Sequence, residues 1–303
     1  MKHVAVLMGG QSEEREVSLA SGRACASALR TAGYEVTEIE VKAGKVAELI
    51  EALTPLPDVA FNALHGRYGE DGCIQGLLEL LKVPYTHSGV LSSALAMDKP
   101  SALATFKAHG IQVPEGRVVP IQNAHDIFDV PYVIKPTREG SSVGVIIVRD
   151  RENRPLLKEH WGFGYEALVE KFVPGRELTI AVMAGEAIGA LEIISNNQFY
   201  DYAAKYVRGT SRHLQIDEGS LGIVRVAKQI SEQAHRILGC RGVTRADFRW
   251  DDSQPEAQGL YLLEVNTQPG MTETSLVPEI AENAGIDFPS LVSWMVEDAR
   301  CGP

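Results

Sequence analysis

The chain has 303 residues, of which 45% are hydrophobic and 23% are charged, as is usual for a globular protein with a sizeable core. Its length suits two or three domains, and its net charge of -11 argues against nonspecific nucleic-acid binding, which depends on lysine and arginine. The four cysteines are far apart and form no CxxC pair, which disfavours a zinc site or a disulfide framework and favours a reduced cytosol.

The amino-terminal segment contains an apolar run, Val4–Met8, that is too short for the central region of a signal peptide. No stretch of the sequence approaches the roughly 20 apolar residues that span a bilayer. We therefore expect a soluble, cytoplasmic protein that does not act at a membrane.

The first third of the chain predicts a parallel sheet. Its strands and helices alternate in the order Val4–Met8, Ser18–Gly33, Tyr34–Val41, Lys45–Leu53 and Val59–Leu64. This βαβαβ order is typical of a doubly wound sheet, in which ligands lie beyond the carboxyl ends of the strands. Two polar clusters fall at such ends, at residues 11–16 and 65–71 (HGRYGED).

Residues 131–148 (PYVIKPTREGSSVGVIIV) predict a β-hairpin that holds a phosphate. One strand ends at Lys135, the loop contains Ser141 and Ser142 between glycines, and a β-branched strand follows. Glycines and hydroxyls let backbone N–H groups surround an anion, and the lysine adds a charge. A P-loop is excluded. In a P-loop the lysine follows the glycines and a helix comes next, whereas here the lysine comes first and a strand follows. The alternative is an ordinary Gly/Ser turn with an exposed lysine.

The remainder of the chain predicts mixed strands and helices. They are a helix at Ser101–His109, strands at Ala167–Val173, Leu178–Met183 and Ala187–Ile194, a helix at Gly222–Leu238, strands at Val243–Trp250 and Gly259–Asn266, and a terminal helix. The segment Ser195–His213 has little periodicity and predicts a long loop, which in a compact domain is more often functional than idle.

Two of these strands carry a polar face. Residues i and i+2 of a strand share a face, so Arg245 lies beside Asp247, and Glu264 beside Asn266. If the strands pair antiparallel, three oxygen ligands and one guanidinium share a surface, which outlines a magnesium-nucleotide site. The alternative is the solvated face of a surface hairpin, and the apolar residues on the opposite faces argue against it.

Two other segments predict contacts with a ligand. At the strand end near Pro174, the exposed backbone could meet an adenine edge and a carboxylate could bind ribose hydroxyls, although a solvated turn fits equally well. In TQPGMTETSLVP, Gly270 permits close backbone approach. Ser275 and Leu276 open a helix whose free N–H groups favour a carboxylate. The alternative at Ser275 is a plain helix cap.

Taken together, these motifs resemble those of the D-alanine:D-alanine ligases of the ATP-grasp superfamily. The resembling segments, which run over nearly the whole length, are GGxSxEREVS (9–18), ALHGRYGEDG (63–72), PYTHSGVLSSALAMDK (84–99), KPTREGSSVGV (135–145), YDYAAKY (200–206) and LLEVNTQPGMTETSLVP (262–278). The resemblance implies an α/β ATP-grasp fold. An N-terminal doubly wound parallel-sheet domain (1–95) would precede two α+β subdomains (96–178 and 179–303) that sandwich the nucleotide.

The resemblance also implies an activity. The enzyme would join two D-alanine molecules through an acyl phosphate, releasing ADP and phosphate, for peptidoglycan precursor synthesis. ATP and two Mg²⁺ or Mn²⁺ ions would be its cofactors. We expect a cytoplasmic homodimer, associated through the first domain, with no nucleic-acid or membrane partner.

By the same resemblance, Lys99 and Lys135 would hold the α- and β-phosphates, the Ser141/Ser142 loop would close over them, and Lys205 would reach the γ-phosphate. The adenosine pocket would be lined by Glu170, Lys171, Phe172, Val173 and Glu177. The two metal ions would be held by Asp247, Glu264 and Asn266.

The implied D-alanine sites come from several segments. Glu14 would pair with the ammonium of the first D-alanine, oriented by a hydrogen-bonded link from Ser141 to Tyr206, with His65 near that substrate. Arg245 and the Gly270 N–H would form an oxyanion hole. Ser275 and the Leu276 N–H would bind the second carboxylate.

Two positions depart from the family pattern. Phe172 stands where many relatives have tryptophan, which preserves an apolar wall against the nucleotide. Gln268 replaces a serine that is common in the NTSPGM motif, so the resemblance predicts no contact for that side chain.

Three other functions compete with this interpretation. A ligase that joins D-alanine to D-lactate or D-serine is the nearest, but Tyr206 and the YDYAAKY segment go with an amine acceptor in the family. A dinucleotide-binding oxidoreductase would need GxGxxG after the first strand, which is missing. A nucleotide-binding regulator that has lost catalysis would be expected to have lost some polar site residues, whereas every predicted polar position of this chain keeps a residue able to perform its role.

Overall fold

Three sheets organise the chain, each built from a different stretch of sequence. The computed structural model describes residues 1–152, 161–195, 211–272 and 274–302. The first sheet contains β1 (His3–Gly9), β2 (Glu35–Val41) and β3 (Val59–Asn62), in the order β2-β1-β3 and all parallel. Helices α1 (Arg15–Thr31) and α2 (Val46–Ala52) connect them. The predicted βαβαβ order is confirmed.

Three further helices follow the first sheet. They are α3 (Cys73–Leu81), α4 (Val90–Met97) and α5 (Lys99–Ala108). The sequence indicated only α5, whose start is marked by Asp98: its side chain accepts a 3.0 Å hydrogen bond from the Ser101 N–H, with proline in the first turn. No comparable cap marks α3 or α4, because each begins after a glycine with no capping side chain.

The second sheet is antiparallel and carries the predicted phosphate-binding hairpin. Its strands are β4 (Gly116–Pro120), β5 (Tyr132–Lys135), β6 (Ile146–Val148) and β7 (Glu166–Lys171), in the order β4-β7-β5-β6. A short 3-10 helix, Ile121–Asp126, follows β4. The hairpin is confirmed, since β5 pairs antiparallel with β6. In its loop, Ser141 and Ser142 adopt positive φ angles of 48° and 60°.

The third sheet is antiparallel and has five strands. They are β8 (Arg176–Met183), β9 (Glu186–Ser195), β10 (Ser211–Ile216), β11 (Val243–Trp250) and β12 (Leu260–Asn266), in the order β10-β9-β8-β11-β12. Helix α6 (Ile223–Ile237) packs on this sheet, and a 3-10 turn (Glu256–Gly259) precedes β12. The predicted pairing of β11 with β12 is confirmed: Asp247 lies opposite Glu264, and Arg245 opposite Asn266.

The predicted loop at Ser195–His213 is wrong at both ends. Ser195 completes β9, and residues 211–213 begin β10, which pairs with β9 through His213 and Ile193. Hydrogen bonds to β9 hold residues 211–213 in an extended conformation. Because these bonds are tertiary contacts, the weak periodicity of the segment does not reveal them. Residues 196–210 lie outside the described residues.

The single predicted terminal helix is two helices, α7 (Leu276–Asn283) and α8 (Phe288–Asp298). One core cluster joins α7 and α8 to β1, α1 and β9, with Leu291 and Val296 fully buried in it. The end of the chain therefore covers the sheet formed by its beginning. Within the described residues, no helix combines the length and apolarity needed to cross a membrane.

Candidate active site

Two adjoining clefts bring the predicted residues together. The residues that define the first cleft are Glu14, His65, Glu70, Lys99, Glu139, Ser141, Arg245, Glu264, Asn266, Gly270, Ser275 and Leu276. The residues that define the second cleft are Lys99, Lys135, Glu139, Ser142, Glu170, Lys171, Phe172, Val173, Glu177, Asp247, Arg249 and Glu264. Every predicted site residue within the described ranges lines one cleft or the other.

The clefts meet at Lys99, Glu139 and Glu264, which line both. The Lys99 ammonium donates a hydrogen bond to the backbone carbonyl of Glu139 and lies 3.9 Å from the Glu264 carboxylate. Burial raises the pKa of Glu139, and the charge of Lys99 opposes that rise. A cation that contacts the Glu139 backbone and faces the Glu264 carboxylate thus marks the junction, where a group passing from one cleft to the other would be held.

The second cleft contains a buried ion pair. Lys135, at the end of β5, contacts the Glu170 carboxylate on β7, and their side chains are 11% and 3% exposed. The other carboxylate oxygen of Glu170 is buried and has no hydrogen-bond partner among the described residues. A buried acceptor without a partner is costly, so this oxygen is suited to receive an N–H group from a ligand such as adenine.

Phe172 forms an aromatic wall of the second cleft. The Arg149 and Arg249 guanidinium groups lie 5.2 and 5.6 Å from its ring centroid. Arg249 donates to the backbone carbonyls of Val173 and Gly175 over 3.1 and 2.8 Å, and it lies 3.6 Å from the Glu177 carboxylate. Burial lowers the pKa of Arg249, an effect that Glu177 partly offsets. Arg249 thereby holds the turn after β7 in place.

The polar face of β11 separates the two clefts. Arg245 lines the first and Asp247 the second, and they form a two-point ion pair of 2.9 and 2.7 Å. The Thr179 hydroxyl on β8 also donates to Asp247 over 2.7 Å. The predicted shared face of Arg245 and Asp247 is confirmed, and the solvated-hairpin alternative is wrong, because both residues are buried.

The hairpin of β11 and β12 has the chemistry of a magnesium or manganese site. Asp247 and Glu264 are directly opposite in the register, and Asn266 follows on the same face. Within the described residues, no cluster of three or more His, Cys, Asp or Glu side chains is arranged to hold a metal. Two carboxylates with one amide oxygen nevertheless fit magnesium, which takes few protein ligands and completes its shell with water and phosphate.

Glu14 is the centre of the polar network in the first cleft. It immediately precedes α1 and is 5% exposed, near the amino-terminal end of the helix dipole. The Ser141 hydroxyl donates to one Glu14 oxygen. A Cβ on Gly140 would lie 2.8 Å from the other oxygen and 3.2 Å from Glu70. A side chain at position 140 would therefore push the Glu14 carboxylate out of its present position.

Glu70 is a second buried carboxyl group in this cleft. Burial raises its pKa to about 8, and the Glu14 charge adds to that rise, while a 3.0 Å hydrogen bond from the Gly66 N–H opposes it. At neutral pH, the Glu70 carboxyl group is therefore largely protonated.

The proton bound by the Glu70 carboxyl group makes the stability of the folded protein depend on pH. The folded protein binds it more tightly than the unfolded chain, so its stabilising effect is complete below pH 4.5 and is lost as the pH rises through about 8. We expect Glu70→Gln to become progressively more stable relative to the parent protein across this window. Urea unfolding of both proteins between pH 5 and 9 measures the difference, and a difference that does not change with pH would contradict the prediction.

His65 lies beside Glu14 as a neutral group. Burial lowers its pKa, while the Glu14 charge and a backbone hydrogen bond at Gln268 act in the opposite direction. Its Nε2 lies 3.3 Å from the Ser21 hydroxyl, which accepts a 3.2 Å hydrogen bond from the Met271 N–H. His65 therefore lines the first cleft as a hydrogen-bonding side chain and contributes no charge to it.

The segment before α7 is shaped around Ser275. This residue is the N-cap of α7, but its side chain makes no capping hydrogen bond; its oxygen instead accepts a 2.9 Å bond from the Thr272 N–H. A Cβ at position 270 would lie 2.9 Å from the same oxygen, so a larger residue there would displace the Ser275 hydroxyl. Ser275 is thus the N-cap by position but not by a side-chain hydrogen bond, and it lines the first cleft together with Leu276, the first residue of α7.

Gln268 has a structural contact that the sequence did not predict. It is 1% exposed; its amide oxygen accepts a 2.7 Å hydrogen bond from Asn62, and its amide nitrogen donates to the Leu64 carbonyl. The side chain therefore ties the segment after β12 to the end of β3, which positions Gly270 relative to His65.

Sequence reasoning missed three polar residues of the clefts. Glu70 stands in the HGRYGED cluster and Glu139 in the hairpin loop, so both lay within segments already singled out. Arg249 could have been found by continuing the i, i+2 alternation from Arg245 through Asp247. Lys205 and Tyr206 lie outside the described residues, and their roles stay predictions.

Comparison with known proteins identifies the relatives of this chain. Residues 46–88 match the family model described as D-ala D-ala ligase N-terminus, and residues 106–297 match D-ala D-ala ligase C-terminus. A D-alanine-D-alanine ligase from Parvibaculum lavamentivorans is 57% identical over 99% of this chain and 98% of that protein. One from Paramagnetospirillum magneticum is 56% identical over 99% of each chain.

Solved structures give the same result. The D-alanine-D-alanine ligase of Bacillus anthracis complexed with ATP has a TM-score of 0.83 and 32% identity, over 98% of this chain and 96% of that one. The enzyme from Coxiella burnetii has a TM-score of 0.78 and 26% identity, over 99% and 95% of the two chains. The three-sheet arrangement is thus the ATP-grasp fold that the motifs implied.

Proposed function

This chain belongs to the D-ala D-ala ligase family, and from that membership we propose that it joins two D-alanine molecules in an ATP-dependent reaction. The products are D-alanyl-D-alanine, ADP and phosphate, and the dipeptide enters peptidoglycan precursor synthesis. The observation that carries the proposal is the junction at Lys99 and Glu264, where a cleft suited to a nucleotide opens into a cleft suited to amino acids.

ATP occupies the second cleft in this proposal. The adenine packs on Phe172 and presents an N–H group to the partnerless oxygen of Glu170, beside the backbone of Lys171 and Val173. Glu177 binds the ribose hydroxyls. The ATP complex of the Bacillus anthracis relative supports a nucleotide in this fold.

The triphosphate extends towards the junction. Lys135 and Lys99 hold the α- and β-phosphates, and Ser142 contributes to the loop that closes over them. Asp247, Glu264 and Asn266 would hold two Mg²⁺ or Mn²⁺ ions. When bound, these ions neutralise phosphate charge and orient the terminal phosphate.

The first D-alanine lies in the first cleft. Its ammonium pairs with Glu14, whose orientation is set by the Ser141 hydroxyl, and neutral His65 lies beside it. Its carboxylate points to the junction and attacks the γ-phosphate. The γ-phosphorus–oxygen bond to ADP breaks as the new bond forms, which yields an acyl phosphate and makes the poorly electrophilic carboxyl carbon reactive.

The second D-alanine attacks this acyl phosphate. Ser275 and the Leu276 N–H hold its carboxylate at the start of α7, where backbone N–H groups favour an anion. Its amine adds to the carbonyl carbon, and the tetrahedral oxyanion is stabilised by Arg245 and the Gly270 N–H. Collapse of this intermediate breaks the carbon–oxygen bond to phosphate, the attacking nitrogen gives up its extra proton to the departing phosphate, and the peptide bond remains.

A phosphate-release assay tests the proposal. With ATP, D-alanine and magnesium we expect one phosphate per dipeptide, and little release when either D-alanine or the divalent metal is left out. D-lactate and D-serine, offered as acceptors beside D-alanine, test the alternative ligases. Turnover with D-lactate but not with D-alanine at neutral pH would overturn the assignment.

Acyl phosphates hydrolyse, so water must be excluded during both steps. We assign this task to residues 196–210, between β9 and β10, with Lys205 reaching the γ-phosphate and Tyr206 bonding to Ser141. We expect Tyr206→Phe to release more phosphate per dipeptide than the parent enzyme, because the closed segment loses its link. Tyr165→Phe, at a 65% exposed tyrosine, is the control. Unchanged turnover and coupling in Tyr206→Phe would refute this role.

The proposed enzyme is a cytoplasmic homodimer of three units, 1–95, 96–178 and 179–303. Leu80 on α3 and Leu91 on α4 are 85% and 76% exposed, which supports association through the first unit. Analytical ultracentrifugation tests this state, and Leu80→Glu is expected to shift it towards monomer.

A further inference from the structure

A third cavity lies beyond the carboxyl ends of β1, β2 and β3. Its volume is about 350 Å³, which is enough for a small molecule. Gly10 after β1, Lys42 after β2 and Leu64 after β3 contribute to its walls. Ligands of doubly wound sheets bind at this position, yet the nucleotide and both D-alanines are assigned to the other two clefts.

The walls of this cavity are mainly apolar. Leu49, Leu64 and Ile74 line its interior and are buried. Val46 and Tyr68 line it as well, and they are 56% and 42% exposed. Apolar side chains that stay in water at the rim of a cavity gain free energy when a ligand covers them.

The charged residues of the cavity are all cations. Lys42 and Arg67 line it, and no aspartate or glutamate in the described part of the chain does, although the protein carries a net charge of -11. The Arg67 guanidinium lies 4.9 Å from the Tyr68 ring centroid, at the apolar rim. An anionic group held beside these cations would leave the rest of its molecule against the apolar wall.

We propose that this cavity binds a small organic anion with an apolar body, such as an aromatic carboxylate or sulfonate. The position of the cations selects for the negative charge, and the buried leucine and isoleucine side chains select for the apolar body. His65 lines both this cavity and the first cleft. The test must therefore distinguish the two locations.

The fluorescent anion 8-anilinonaphthalene-1-sulfonate is a suitable probe, and the uncharged N-phenyl-1-naphthylamine is its matched analogue. We expect one sulfonate to bind per chain, and saturating ATP with D-alanine not to displace it. Lys42→Glu combined with Arg67→Glu is expected to weaken sulfonate binding about tenfold and leave binding of the neutral dye unchanged. The control for charge is Lys107→Glu combined with Arg225→Glu, at exposed positions outside the cavity.

A substitution that fills the opening completes the test. Val46→Trp is expected to abolish binding of both dyes, whereas Val90→Trp, at the equivalent first position of α4 and outside the cavity, is not. Thermal unfolding of both variants checks that they fold. Displacement of the sulfonate by ATP or D-alanine, or binding that survives Val46→Trp, would overturn the proposal. Neither outcome depends on whether the protein ligates D-alanine.

Discussion

Arg245→Met is expected to lower kcat by about 10²- to 10³-fold, the usual effect of removing one donor from an oxyanion hole. Arg245 is 9% exposed and is fixed by its two-point pair with Asp247, so it reaches the first cleft in a defined orientation. Because its proposed partner forms only during attack by the second amine, the KM for ATP should change little. Steady-state kinetics with both substrates varied measures the two effects separately.

Two further variants separate catalysis from folding. Arg245→Lys keeps a positive charge beside Asp247 but loses the planar fork, so its kcat should lie between those of the parent enzyme and Arg245→Met. Arg225→Ala removes an exposed arginine from α6 and should leave kcat unchanged. If Arg245→Met keeps kcat within about threefold of the parent value while remaining folded, Arg245 does not stabilise the oxyanion.

Lys135→Met is expected to weaken ATP binding by about 10- to 150-fold, since a hydrogen bond to a charged group contributes roughly 1.5 to 3 kcal/mol. It should also destabilise the fold by about 3 to 5 kcal/mol, because the buried Glu170 carboxylate loses its cation. Titration calorimetry measures the first effect, and urea unfolding measures the second.

The double variant Lys135→Met/Glu170→Gln distinguishes these two causes. Replacing the carboxylate with an amide removes the unpaired buried charge, so most of the lost stability should return while ATP affinity stays low. Lys2→Met is the control for stability: its pair with Glu297 is largely exposed, and its loss should cost at most about 1 kcal/mol. Recovery of ATP affinity in the double variant would show that Lys135 acts only through the fold.

The first of these predictions concerns a residue at the border between the clefts. Arg245 and Asp247 are two residues apart on β11, yet they line different clefts and bind each other. The same short strand therefore serves the nucleotide and the amino acids. This arrangement helps to align ATP with the amino acids. Holding two reactants in the correct geometry can lower the activation free energy by roughly 7 to 11 kcal/mol.

The sequence by itself determined most of the local elements and the chemistry of most of the site. The hairpin ending at Lys135 and the alternation through Arg245, Asp247, Glu264 and Asn266 depend on periodicity and turn chemistry, which act between near neighbours. The resemblance to the family motifs added the role of each element in a single reaction.

Tertiary structure alone decided how the separate segments meet. Glu14 and Ser141 are 127 residues apart and hydrogen-bonded, and Gln268 joins β12 to the end of β3 across 206 residues. The pKa of Glu70 is raised because folding removes it from water beside Glu14. Burial and long-range contacts are properties of the packed chain, and for that reason no local pattern of residues could have revealed them.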